Sequence, residues 1–345
     1  MMAGTPTAGT RRTNSVLLRT LQPLLAIMCG FALPLLGLAV PRGPAASWSL
    51  VRALGAGAPI RQIARAGGWP HPTLYVVAAG WGVYASEDGS QSWRPLGALP
   101  RGDLGRVECS GLAVSDVPNL LLLTQQARQP TLLKSTDGGE SWVARRGLQG
   151  LAIDAIAFAG GTQAYAMAGG SLYRSDDGGD TWLLTGRSPT QGSILAMAAG
   201  TSPPRLCLAA SDGLWMTQDG GDWALTWQGS AMDSLVSSKG QVLYAGGPAG
   251  LCRSDDGGAT WQAEPLPREG QGLRALAVAD DSLGVALSDG SVWLRAGRDA
   301  DWQPLPALPA GLAVTALAVW LDPAPALLAG SATGLWRLPL PARGG

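Results

Sequence analysis

A short motif recurs five times in this chain, and it constrains the fold more than any other feature. Its fullest form reads Ser-x-Asp-Gly-Gly-x-Thr-Trp, and its closing tryptophans, with that of a degenerate sixth copy, lie 38 to 49 residues apart. Because each unit also contains short strand-like runs, a period near 40 predicts a β-propeller rather than a helical solenoid. The copies run from Ser86 to Trp93, Ser135 to Trp142, Ser175 to Trp182, Thr217 to Trp223 and Ser254 to Trp261, and the sixth from Arg295 to Trp302.

The chemistry of the motif is that of a hairpin turn. Its Ser and Asp side chains can accept hydrogen bonds from nearby backbone N–H groups, and its glycines supply positive φ angles without a Cβ clash. We therefore interpret the repeated aspartates and tryptophans as structural rather than catalytic. They are Asp88, Trp93, Asp137, Trp142, Asp177, Trp182, Asp219, Trp223, Asp256 and Trp261.

This motif resembles the Asp-box, or BNR repeat, of sialidases, some glycoside hydrolases and the photosystem II assembly-factor propellers. The resemblance extends over residues 47–338. It implies that each box joins the two outer strands of a blade, away from the central channel. The photosystem II assembly factors are the most similar in plan, since they combine an N-terminal export or anchor segment with one propeller and no catalytic set.

Seven short strands, each with a bulky third residue, indicate the number of blades. The last of them, Gly334-Leu335-Trp336, has no box after it, whereas Ser47-Trp48-Ser49-Leu50-Val51 begins with the hydroxyl-Trp pair that ends a box. We expect the latter segment to pair with the strand at Leu335 and close the ring like a Velcro strip, which removes open sheet edges. The sequence thus predicts an all-β, monomeric, seven-bladed propeller over 47–338, followed by a tail at 339–345.

The N-terminal residues predict export. Residues 1–20 contain three arginines and no acid, residues 21–40 are almost wholly apolar, and no acid precedes Glu87. We interpret 1–20 as a basic cytoplasmic region and 21–40 as a signal peptide or a transmembrane anchor, with cleavage left open. Positive charge on the N-terminal side predicts an extracytoplasmic propeller, periplasmic or on the cell surface.

Composition argues against several classes of function. The formal net charge is zero and only two of 25 basic residues are lysines, so nucleic-acid binding is not expected. With His71 as the single histidine, neither a metal site nor a histidine-dependent triad is predicted, and no cofactor motif is found. Cys207 and Cys252 fall on neighbouring blades and form the one pair for which a disulfide is worth checking.

Candidate binding residues come from aligning the innermost strands on their small-apolar-small pattern. The residue before each pattern is expected at the same height in the channel, which places two arginines opposite two aspartates at one mouth. These residues pair with each other, are simply solvated, or form a polar binding site. In blade order they are Arg61, Ser110, Asp154, Leu195, Asp233, Arg274 and Thr315, here called the ring residues; all except Leu195 are the predicted site.

The sequence leaves two functions open. The first is a non-enzymatic propeller that binds a membrane-associated protein, which the resemblance to assembly factors implies. The alternative is a glycoside hydrolase that uses Asp154 and Asp233, if their separation suits that chemistry. Sialidase activity is not expected, because the Arg-Ile-Pro sequence of that family is reversed here, in Pro59-Ile60-Arg61, and no tyrosine follows Tyr244.

Overall fold

The computed structural model describes residues 46–341, except 56, 68–71, 98, 100–108, 116–119, 127–128, 202–203, 230–231, 238–241, 310 and 322–323. Residues from Ala46 onward form one compact unit. The predicted segments 1–20 and 21–40 lie outside the described residues, as does most of the predicted tail. In the part of the chain that is described, no helix is long and apolar enough to cross a membrane.

The described residues form β-strands and one 3-10 turn, Arg52–Leu54. The strands are β1 Ser49–Leu50, β2 Ile60–Ala66, β3 Thr73–Ala78, β4 Gly82–Ser86, β5 Arg94–Pro95, β6 Cys109–Val114, β7 Leu120–Gln126, β8 Gln129–Ser135, β9 Val143–Arg145, β10 Ile153–Gly160, β11 Gln163–Ala168, β12 Ser171–Ser175, β13 Leu183–Arg187, β14 Ile194–Thr201, β15 Pro204–Ala210, β16 Gly213–Thr217, β17 Ala224–Gln228, β18 Ser234–Ser237, β19 Leu243–Gly247, β20 Gly250–Ser254, β21 Gln262–Glu264, β22 Leu273–Ala279, β23 Ser282–Leu287, β24 Val292–Arg295, β25 Gln303–Pro304, β26 Val314–Trp320, β27 Ala326–Ser331 and β28 Gly334–Pro339.

These strands form seven four-stranded antiparallel sheets within the described ranges. Six sheets, called first to sixth, contain four consecutive strands each, from β2–β5 to β22–β25. The seventh has the order β1-β28-β27-β26, so it joins the two ends of the described chain. The innermost strand of each sheet contacts that of the next, and β26 of the seventh sheet contacts β2 of the first. This circular arrangement of sheets confirms the prediction of an all-β propeller.

Where the structure describes its side chains, the second strand of a sheet is buried on both of its faces, because a sheet packs against each side. Every residue of β23 and of β27 is buried, which explains why these segments read as continuous apolar runs. The core is accordingly divided into apolar clusters, each lying between two neighbouring sheets. Burial between sheets, rather than within one central core, therefore holds the propeller together.

The closing tryptophans occupy equivalent places in these clusters. Each one packs into the cluster between its own sheet and the preceding sheet, and Trp302 of the degenerate copy does the same. Trp48 packs into the cluster between the sixth and seventh sheets, which is the equivalent place for the seventh sheet. Its Nε1 donates to the Pro306 carbonyl at 2.7 Å.

Strand β1 pairs with β28 through the residues that follow Trp48. Ser49 lies opposite Arg337 and Leu50 opposite Trp336. The ladder continues at Val51, whose N–H donates to the Leu335 carbonyl at 2.8 Å. Strand β28 itself ends at Pro339, one residue inside the predicted tail.

The repeated turns are held by their own side chains. In the second copy, Ser135 Oγ donates to Asp137 Oδ1 at 2.6 Å and accepts from Gly139 N at 2.8 Å. Asp137 also accepts from Ser141 N at 3.0 Å and from Ser141 Oγ at 2.5 Å. The same four-residue link from hydroxyl to N–H recurs at Ser86, Ser175 and Ser254. The copy at Thr217 is one residue shorter, and its hydroxyl accepts from Gly220 N, three residues on.

We expect Asp137→Ala to lower the free energy of unfolding by about 1–3 kcal/mol, because it removes charge-assisted hydrogen bonds that organise one turn. The hydrogen bonds from Ser135 and Ser141 hold the pKa of Asp137 well below its usual range. The contribution of the Asp137 carboxylate to the free energy of unfolding is therefore fully present above the unfolded pKa of about 3.9. It is lost as the pH falls toward the lower pKa of the folded state. Urea titrations of wild type and variant between pH 3 and 7 measure this difference.

The matched control for that experiment is Asp299→Ala. Asp299 is an exposed acid in the degenerate sixth turn and forms no hydrogen bond or ion pair with a described residue. Its removal should change stability by less than about 0.5 kcal/mol at every pH. An equal effect of both substitutions would contradict the structural role of the turn aspartates.

Three of the cysteines are buried free thiols: Cys109, Cys207 and Cys252. Cys207 and Cys252 lie in the same cluster, between the fourth and fifth sheets, without forming a disulfide. Burial raises the pKa of each of the three thiols to about 12. At neutral pH they act as small apolar side chains rather than as nucleophiles.

Candidate functional site

A β-bulge lies near the start of the innermost strand in six of the seven sheets. In the first sheet, Ile60 pairs with Ala78 and Gln62 with Val77, which leaves Arg61 as the extra residue between two paired neighbours. The other bulged residues are Ser110, Asp154, Leu195, Arg274 and Thr315. In the fifth sheet, Asp233 stands immediately before the first paired residue of β18, Ser234. Every ring residue thus lies at a break in strand pairing.

These breaks direct the ring residues toward one cavity. All seven line it, and all seven are exposed to solvent although the residue preceding most of them is buried. Bulges commonly re-aim a side chain next to functional sites. The cavity has a volume of about 460 Å³, within the ~300–1,000 Å³ typical of binding sites. The structure therefore brings together all six predicted site residues, together with Leu195.

The charges are divided between two halves of the cavity. Arg274, Thr315 and Arg61 come from the sixth, seventh and first sheets, which follow one another around the circle. Asp154, Leu195 and Asp233 come from the third, fourth and fifth sheets, on the other side. Among the described residues, none of these two arginines and two aspartates forms an ion pair. The charges of the described lining residues thus sum to zero, with a cationic half facing an acidic half.

Hydrogen bonds give two residues of the lining a structural role. Thr315 Oγ1 donates to the Ile60 carbonyl at 2.7 Å and so links the seventh sheet to the first. The Gln62 amide both donates to and accepts from the backbone of Leu112 at 2.8 Å, which links the first sheet to the second. We did not predict Gln62; the signal was an amide at a position where most other inner strands have glycine or alanine.

Burial raises the pKa of the Asp154 and Asp233 carboxyls. For Asp233, a hydrogen bond of 3.3 Å from Ser234 Oγ partly offsets this effect. Both groups are thus partly withdrawn from water, and an additional cation near them would be stabilised.

Below the ring residues, each inner strand contributes an apolar side chain to the lining. No aromatic, histidine or cysteine side chain is found among the described lining residues. The apolar residues are Ile63, Leu112, Ile156, Met197, Leu235, Leu276 and Leu317. The described lining is therefore a polar rim above an aliphatic layer, and it contains no aromatic platform on which a sugar ring could stack.

No protein-family model matches the chain, and no curated protein matches it either. Solved structures do. YCF48 bound to a D1 peptide is 15% identical with a TM-score of 0.64, over 88% of this chain and 97% of that chain. YCF48 from Cyanidioschyzon merolae is 17% identical with a TM-score of 0.64, over 84% and 98%. The GH74 xyloglucanase from Xanthomonas campestris is 17% identical with a TM-score of 0.65, over 85% and 53%.

At these identities the likeness shows the fold alone, a β-propeller. The first two structures are covered almost entirely, whereas the xyloglucanase is about twice as long as the part that matches. The neighbours include a peptide-bound protein and a glycoside hydrolase, so fold likeness by itself does not decide between binding and hydrolysis.

Proposed function

We propose that this chain is a non-enzymatic, extracytoplasmic propeller that binds a segment of another protein at the cavity formed by the ring residues. The observation that carries this proposal is the convergence on one cavity of bulged residues whose charges form no ion pair with a described residue. Unpaired charged groups gathered in a concavity are typical of binding sites. The likeness to peptide-bound YCF48 is compatible with this function.

The proposal includes a ring of seven blades with Asp-box turns, closed by β1 as the outer strand of the last blade. The seven described sheets and the place of Trp48 between the sixth and seventh of them support this interpretation. It also includes a location outside the cytoplasm and a membrane-associated partner. The sequence alone supports these two points, through the three arginines within residues 1–20 and the apolar residues 21–40.

A carbohydrate hydrolase is the second candidate. In its favour, Asp154 and Asp233 line the same cavity, and burial raises the pKa of both carboxyls, as general acids require. Against it, the described lining offers no aromatic surface for a sugar ring. If the chain is a hydrolase, the wild type should cleave a glycan, and Asp154→Asn and Asp233→Asn should each abolish cleavage. If it is a binding propeller, no member of a glycan panel should be turned over.

Capture of membrane proteins by the full-length protein tests the binding function. Reversing both charges in Arg61→Glu/Arg274→Glu should reduce capture at least about tenfold, because two charge-assisted contacts become repulsive. The melting temperature should stay nearly unchanged, since both side chains are exposed. The control, Arg146→Glu/Arg187→Glu, makes the same charge change at exposed arginines outside the cavity. Equal capture by both double variants would reject this site.

A further inference from the structure

The arrangement of charge in the cavity restricts what can bind there. A purely anionic segment would be attracted by Arg61 and Arg274 but repelled by Asp154 and Asp233. A purely cationic segment would be attracted by the two aspartates but repelled by the two arginines. A segment with both charges satisfies both halves at once. Because these four charges cancel, together they provide little long-range attraction and serve mainly to select partners.

The cationic half is suited to a carboxylate. Arginine presents a planar fork of donors that matches a carboxylate, and neither guanidinium is paired with a described acid. Thr315 lies between the two arginines in the order of sheets, and its hydroxyl proton is directed to the Ile60 carbonyl. Recognition of an acid in this half therefore falls to Arg61 and Arg274.

The acidic half is suited to a cation with an aliphatic stem. Leu195 comes from the sheet between those of Asp154 and Asp233, and its side chain remains 37% exposed. Lysine and arginine bury their methylene stems on apolar surfaces while their charged heads stay with polar partners. Leu195 can contact such a stem while the two carboxylates receive its charged head.

From this geometry we infer that the cavity recognises a mixed-charge peptide segment. The segment presents an acidic group to Arg61 and Arg274 and, at a second position, a lysine or arginine side chain to Asp154, Leu195 and Asp233. This inference rests on the proposed function and specifies the chemistry of its partner. It differs from a general affinity for acidic or basic peptides, which would need only one half of the cavity.

Selection of a random decapeptide library displayed on phage tests the inference with the full-length protein as bait. Wild type should enrich peptides that combine an acid and a base at a preferred spacing. Arg61→Gln/Arg274→Gln should lose the enrichment of acids only, and Asp154→Asn/Asp233→Asn that of bases only. For a selected peptide, either double variant should weaken binding by roughly 10- to 100-fold, as expected for lost contacts to charged groups.

Leu195→Asn provides an independent check, because this position is exposed and its substitution should change stability little. It should weaken binding of a selected peptide by roughly 3- to 10-fold, since the apolar contact to the stem is lost. Replacing lysine in that peptide by the shorter 2,3-diaminopropionic acid should remove most of this difference, because the stem no longer reaches Leu195.

The outcomes separate this inference from the proposed function. Enrichment of acids alone or bases alone, lost on neutralising the ring, would overturn the mixed-charge inference and leave a binding propeller. Enrichment that is identical for wild type and for the variant with all four charges neutralised would overturn the inference as well. If capture of membrane proteins were also insensitive to charge reversal, the proposed function would fail with it.

Discussion

Replacing Trp320 by alanine is expected to lower the free energy of unfolding by about 3–5 kcal/mol, the range typical of a truncated buried tryptophan. Trp320 ends β26 and is only 1% exposed. It fills the cluster between the seventh and first sheets, next to Leu54, Ile60 and Leu335. Urea unfolding at 25 °C, followed by circular dichroism, measures the loss.

The surroundings of Trp320 leave little room for repacking. A Cβ atom on Gly89 would lie 2.6 Å from the Trp320 Nε1 atom, so the indole reaches the turn of the first sheet. Its ring also lies under the Arg65 guanidinium, 5.6 Å from the ring centroid. Removal of the indole thus leaves a cavity and an Arg side chain without its aromatic partner.

Trp81→Ala is the matched control for this prediction. Trp81 lies in the first sheet's loop between β3 and β4 and is 50% exposed. Its truncation should cost less than about 1 kcal/mol, because half of its surface is already in water. If the two tryptophan variants were equally stable, the cluster between the seventh and first sheets would not carry the stability assigned to it.

Deleting residues 47–51 from the full chain is expected to lower the melting temperature by roughly 10 °C. The deletion removes the β1 pairing, the Trp48 contacts and several hydrogen bonds, a loss of about 3–5 kcal/mol at about 2–4 °C per kcal/mol. It also exposes the edge of β28, so the variant should self-associate. Differential scanning calorimetry and analytical ultracentrifugation measure the two effects.

A finer comparison separates the ladder hydrogen bonds from packing. Val51 has φ −77°, which proline can adopt, and its N–H donates to Leu335 O at 2.8 Å. Val51→Pro should therefore be about 0.5–1.5 kcal/mol less stable than Val51→Ala, the value of one hydrogen bond. A deletion variant as stable as wild type would contradict closure of the ring by β1.

The repeat made much of the architecture predictable. Hairpin turns are local, since Ser135, Asp137 and Ser141 satisfy one another within seven residues. A local motif repeated at a fixed spacing specifies a row of similar sheets, and alternation of turns and apolar runs identifies their strands. The aligned inner strands also predicted which residues meet at one cavity, because equivalent positions in a circular repeat lie at equal height.

Other features could not be predicted from a pattern. The bulge at Arg61 depends on how Ile60 and Gln62 pair with a strand more than ten residues away. The links from Thr315 to Ile60 and from Gln62 to Leu112 join neighbouring sheets. Their partners are backbone atoms, so the amide of Gln62 marks its own position in the sequence but does not identify the residue to which it binds. Such contacts depend on the spacing between sheets, and side-chain volumes throughout the interface set that spacing.

By itself, then, the sequence determined the class of fold, the turns and the positions of the ring residues, because these follow from short-range chemistry repeated along the chain. The tertiary structure alone decided that Arg61 and Arg274, which the sequence placed opposite Asp154 and Asp233, form no ion pair with a described acid. It also decided that Trp320 is buried while Trp81 is half exposed. The reason is that the burial and the pairing of side chains depend on which sheets come together in the folded ring.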